Sequence, residues 1–215
     1  MKNPLIFIGG GEHAKVIYDS ALSMECWEIV GVIDPNPQAK CCVDLSLAWL
    51  GSDNAFADIV RDFKTIFLIL GFGTLGNSTK RMDIVHVFSL TKNVRWATII
   101  HSSAIISPFS KLGEGTVVFP KTVINSGTIV GKHCILNTAS IIEHDVTVND
   151  FSQLAPGSIV GGGTALGQNT YIGLGAHIRD HIVIGDNCCI GMGAVILNDI
   201  PSHATAFGNP ARIKG

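Results

Sequence analysis

The sequence lacks the marks of several large protein classes. Its 15 Lys+Arg and 17 Asp+Glu give a formal charge of -2 over 215 residues, with no basic block or stripe to neutralise a row of phosphates, so nucleic acid is not an expected partner. No apolar run exceeds the five residues Ile66–Leu70, far below the roughly 20 that a bilayer span needs, although 47% of the residues are hydrophobic. An integral membrane protein is therefore not expected. Near the N-terminus glycines follow only four apolar residues, which leaves no signal-peptide h-region and points to the cytoplasm. No two cysteines have CxxC spacing, so a zinc ribbon or finger is not expected. The six cysteines, at 26, 41, 42, 134, 188 and 189, include two adjacent pairs and read as reduced thiols.

What is present divides near residue 96. An apolar run at 5–8 meets Gly9, Gly10 and Gly11, after which Ala14, Val16, Ile17, Ala21 and Leu22 recur at helical spacing. Residues 29–33 read as a second strand ending at Asp34-Pro35, 55–63 as a helix, and Ile66–Leu70 as a third strand. Gly71, Gly73 and Gly76 then lead into another helix towards Leu90. Strands alternating with helices imply a small parallel sheet of Rossmann-like type over residues 1–96.

From Ile100 a period of six takes over. Stepping by six from Ile100 to Ile196 meets seventeen residues, all Ile, Leu or Val. Four residues after each of the first sixteen comes a second position, small in every hexad except Val146 and Ile182. Six fits neither a 3.6-residue helix nor an alternating strand. It fits a parallel β-helix over 97–215 in which each hexad supplies one short strand and one corner of a triangular prism, with residues eighteen apart as neighbours. Cys134 and Cys188 occupy small inward positions, where a buried thiol fills a gap. No insertion interrupts the hexads, so a site must come from corners, neighbouring subunits or the N-terminal domain.

Three motifs then carry a resemblance: the GGGEHAKV turn, IIEHD within the hexads, and the closing GNPAR. Together they resemble the bacterial left-handed parallel β-helix acetyltransferases that acetylate amino sugars on a nucleotide carrier, a family that includes enzymes of N-acetylbacillosamine and N-acetylperosamine synthesis and sialic acid O-acetyltransferase. The resemblance implies acetyl transfer from acetyl-CoA to the amino group of a nucleotide-linked amino-dideoxy sugar, without metal, in a homotrimer with the active site between subunits. O-acetylation of sialic or legionaminic acid, or a noncatalytic nucleotide-sugar-binding scaffold, remain as alternatives.

Read from the residues, Gly9-x-Gly11-x-x-Ala14 after a strand and opening a helix is a setting for phosphate, and Asp34 stands where a carboxylate meets a ribose hydroxyl. NAD, or a tight turn with no ligand, fits those residues too. The resemblance instead implies that Gly11, Glu12 and His13 touch phosphate or sugar, that Asp34 and Pro35 face ribose and base, and that Gly71 lets the ligand approach the third strand. In Glu143-His144-Asp145 a corner histidine beside carboxylates is suited to general-base work, and is equally what a solvated turn looks like. The resemblance implies His144 as base, Asp145 as its support, and Asn137 and Glu143 in the acceptor pocket. It also implies Gln153 as an acetyl-CoA contact where many relatives carry a second histidine, Leu174 and Met192 along the pantetheine, and Arg212 or Lys214 at the coenzyme phosphates. His133, His177 and His181 raise a zinc-dependent hydratase as a further reading, but they read better as solvated or interface residues.

Overall fold

In a computed structural model, residues 2–74 and 78–214 are described, and Gly76 falls outside them. The chain forms two compact units, Met1–Gly73 with Lys80–Ser102, and Thr74–Thr79 with Ser103–Gly215. The first is a five-stranded parallel sheet of β1 (Asn3–Ile8), β2 (Trp27–Ile33), β3 (Trp49–Gly51), β4 (Ile66–Leu70) and β5 (Val94–Trp96), in the order β3-β2-β1-β4-β5. Its helices are α1 (Glu12–Leu22), α2 (Lys40–Asp44), α3 (Phe56–Val60) and α4 (Lys80–Ser89). The central strands β1 and β4 are buried on both faces, which is why they read as uninterrupted apolar runs. In α1 the buried stripe is Ala14, Ile17, Ser20 and Ala21, whereas Val16 and Leu22, expected on it, are exposed. The helix expected over 55–63 is shorter, because a 3-10 turn at Asp53–Ala55 leads into α3.

The second unit is the β-helix that the hexads imply. Each hexad gives a two-residue strand whose second residue points inward, and strands eighteen residues apart pair in parallel, as Ile142 does with Val160. From Val118 to Ile196 every sixth residue is buried, and so is the second, small position from Thr116 to Ala194. Small polar residues are tolerated there because the neighbouring coil satisfies them. The hydroxyls of Thr116, Thr128, Thr164 and Thr170 donate to the carbonyls of Gly131, Glu143, Arg179 and Gly185, fifteen residues further on, at 2.6 to 2.9 Å.

The corners have a signature of their own. In fourteen successive hexads, from Gly115 to Gly193, the third residue after the inward aliphatic has φ between 53° and 75°. This left-handed residue closes a type II turn, and Asp145 and His181 are among the non-glycine residues that adopt it. Column by column along each edge, residues eighteen apart therefore stack.

Candidate active site

The C-terminal edge of the parallel sheet gathers the N-terminal candidates. Gly11 is the N-cap of α1, and a Cβ built there would meet nothing within 4 Å, so the helix N-terminus opens onto free space at Gly11 and Glu12. Asp34, at the end of β2, spends its carboxylate on the turn: Oδ2 accepts from Gly10 N at 2.7 Å and Oδ1 from Asn36 N at 2.8 Å. Its first task is thus to tie β2 to the glycine turn. Beside it, Pro35 lines a cleft of about 200 Å³ with Ser52, Asp53 and Asn54. Gly71 meets a steric demand of its own. A Cβ there would stand 1.9 Å from the carbonyl oxygen of Gly9, so the crossing of the two main chains by itself requires glycine.

His13 carries no charge at neutral pH. Burial, and secondly the nearby Arg81 guanidinium, push its pKa down from 6.5 to about 4. It can meet a phosphate or sugar as a neutral imidazole but adds no cation. Arg81, only 2% exposed on α4, is the charge the sequence reading missed, because one arginine in a helical pattern gives no sign of its burial. Since the folded-state pKa of His13 lies below its unfolded value, its contribution to stability is complete above pH 6.5 and is lost as pH falls towards 4. That amounts to about 3 kcal/mol in all. Urea midpoints at pH 7 and pH 4.5 should therefore converge in His13→Gln relative to the native chain; an undiminished acid loss in the variant would refute this account.

In the β-helix, Glu143, His144 and Asp145 follow the inward Ile142 at one corner. Thr128 pins this corner from inside: its hydroxyl donates to Glu143 O at 2.6 Å and accepts from Val146 N at 3.3 Å. The Glu143 carboxylate accepts from Asn125 Nδ2 at 2.8 Å, a bond between residues eighteen apart. Both side chains of the next pair are exposed, and His144 Nδ1 lies 2.9 Å from Asp145 Oδ2. A carboxylate there accepts a hydrogen bond from Nδ1–H, favours that tautomer, and leaves the Nε2 lone pair free. The space they occupy is left by glycines on both sides. A Cβ on Gly127 would meet Asp145 Oδ1 at 2.3 Å, and one on Gly162 would meet His144 Nε2 at 2.7 Å.

The other candidates of this unit lie elsewhere on the prism. Asn137 begins the next corner back along the chain, with Nδ2 donating to Leu154 O at 3.0 Å. That edge also carries Leu174 and Met192, eighteen apart and exposed by 48% and 76%. Gln153 is 6% exposed and its amide is engaged within the unit. Its Oε1 accepts from Thr74 N at 3.2 Å while Nε2 donates to Thr74 O. Its hydrogen-bonding capacity is directed at the Thr74 main chain instead of open solvent. Arg212 belongs to the antiparallel hairpin of Thr205–Gly208 and Ala211–Ile213, exposed at the rim of a cleft of about 240 Å³ with Leu197, Asp199 and Ile213. Among the described residues no group of three His, Cys, Asp or Glu is placed to hold a metal ion, and no helix is long and apolar enough to cross a membrane.

Comparison with known proteins adds independent findings. Residues 4–88 match the family model of the PglD N-terminal domain, and residues 163–198 that of the bacterial transferase hexapeptide (six repeats). Similar curated proteins include the GDP-perosamine N-acetyltransferase of Escherichia coli O157:H7, 33% identical over 57% of this chain and 58% of that protein. Another is the dTDP-3-amino-3,6-dideoxy-alpha-D-galactopyranose 3-N-acetyltransferase of Aneurinibacillus thermoaerophilus, 43% identical over 27% of each chain. The matched segments thus span between about a quarter and just over half of these relatives' lengths. Among solved structures, PerB from Caulobacter crescentus in complex with CoA and GDP-perosamine aligns with a TM-score of 0.88 at 28% identity, over 99% of this chain and 98% of that one. The acetyltransferase domain of PglB from Neisseria gonorrhoeae FA1090 in complex with acetyl coenzyme A aligns at 0.87 and 28%, over the whole of both chains.

Proposed function

Because the chain belongs to the β-helix nucleotide-sugar acetyltransferases with a PglD-type N-terminal domain, we propose that it moves the acetyl group of acetyl-CoA to the amino group of a nucleotide-linked amino-dideoxy sugar. The observation that carries this reading is the 2.9 Å contact of His144 Nδ1 with Asp145, which turns Nε2 outward on an exposed corner. As the sugar nitrogen attacks the thioester carbonyl, Nε2 accepts the proton that the nitrogen loses. The tetrahedral adduct then collapses, the carbon–sulfur bond breaks, and the proton passes to the departing thiolate. No covalent enzyme intermediate is needed, and proximity supplies much of the rate.

The N-terminal unit supplies the nucleotide site on this reading: the open α1 N-terminus for pyrophosphate, and the Pro35, Ser52, Asp53 and Asn54 cleft for the base. The exposed Leu174 and Met192 form an apolar edge suited to pantetheine, and Arg212 stands ready for a coenzyme phosphate. Since the base and the apolar edge occupy different corners of one prism, a complete site calls for a second copy of the chain. A homotrimer satisfies this, because cyclic packing turns one edge of each prism towards a different edge of its neighbour. The outward residues Ile105, Val123, Ile141 and Ile159 stack along one face, followed by His177 and then Val195, and give such packing a mainly apolar surface.

The test is thiol release from acetyl-CoA with nucleotide-linked sugars carrying an amine or a hydroxyl at the acceptor position. Release is expected only with amine acceptors. Release restricted to hydroxyl acceptors would replace this reading with O-acetylation, and absence of release with every nucleotide amino sugar would replace it with a binding scaffold.

A further inference from the structure

Three consecutive glycines, 161 to 163, lie one coil beyond the Glu143-His144-Asp145 corner, and they are there for different reasons. A Cβ on Gly161 would meet Asp180 N at 2.5 Å, so the next coil's main chain excludes it. Gly163 has φ of 64°, the left-handed corner position, where glycine is favoured. Gly162 has neither constraint. Its φ is outside the left-handed region, and the nearest atoms to a Cβ all belong to the His144 imidazole: Nε2 at 2.7 Å, Cε1 at 2.8 Å and Cδ2 at 3.2 Å. Along the same column at eighteen-residue steps stand Ser126, His144 and Asp180, so the position accepts side chains on the other coils.

We infer that Gly162 is the positioning residue of His144, its missing side chain being the seat on which the imidazole rests with Nδ1 on Asp145 and Nε2 presented for reaction. This rests on the reading of His144 as the general base. A methyl group at 162 falls within contact distance of Nε2 itself, so the ring must swing off the coil, and Nε2 moves relative to the attacking nitrogen even where the Asp145 contact survives.

The experiment is Gly162→Ala, alone and combined with His144→Ala. In the single variant kcat should fall between about 10- and 100-fold, the scale on which misplacement by an ångström acts, while KM for both substrates stays within about twofold. The Nδ1–H proton resonance of His144, identified by its loss in His144→Ala, should shift or vanish. Because the Gly162 backbone suits alanine, the substitution should raise the melting temperature when the ring is absent and give less or no gain when it is present. Native kcat with an unmoved resonance, or equal melting shifts in the two backgrounds, would overturn the inference. If His144→Ala alone keeps full turnover, it is the general-base reading that fails, while the resonance and the melting comparison still decide whether Gly162 seats the ring.

Discussion

Replacing His144 with alanine should lower kcat for acetyl transfer by about 10²- to 10⁴-fold, the range that a positioned general base contributes. KM for acetyl-CoA and for the amino sugar should change little, because the imidazole acts on a proton that moves only as the nitrogen attacks. Stability should be untouched, since the side chain is 60% exposed and its polar contact is with the adjacent, likewise exposed Asp145. The measurement is steady-state kinetics beside a thermal melt and a sedimentation profile. A variant that melts and sediments like the native chain and turns over at the native rate would remove His144 from the mechanism. Residual activity is still expected, because binding two substrates side by side retains the proximity advantage without the base.

The period of six made the second unit legible residue by residue, because burial in a β-helix repeats with the coil and leaves no freedom in which residues face inward. Both inward series are buried as the spacing implies from Thr116 and Val118 onward, and Glu143-His144-Asp145 emerges at a corner because Ile142 takes the inward slot. Arithmetic by eighteen would have gone further. It places Gly162 beside His144 in one column and Leu174 and Met192 on a different edge, the two placements on which the proposed seat and the proposed second copy rest. The first unit was harder. The strands β3 and β5 are three residues each, too short for a period-two signal, and were not anticipated. Charge states were hidden as well: His13 is neutral because of its burial and of Arg81, which lies 68 residues away in sequence. Gln153 shows the same limit, since its amide partner Thr74 is 79 residues distant and no local pattern connects them.

The second large effect concerns the prism itself. Ile172 is fully buried between Leu154 on the preceding coil and Ile190 on the following one. Its removal in Ile172→Ala should cost about 2–5 kcal/mol, the range for truncating a large aliphatic in a core that cannot close around the cavity. Closure is resisted here because the coils are held at a fixed separation by main-chain bonds on both sides of the residue, Tyr171 N to Cys188 O and Gly173 N to Ile190 O, each 2.9 Å. The same substitution at Ile106, which is only half-buried near the start of the stack, should cost clearly less, because part of that side chain already meets solvent. Position in the column therefore matters more than residue type, as expected where each coil contacts only its neighbours. Denaturant midpoints of the two variants at equal protein concentration provide the comparison. Equal losses at 172 and 106 would mean that the inward aliphatics act as a diffuse core, and the coil-by-coil account of stability would have to be abandoned.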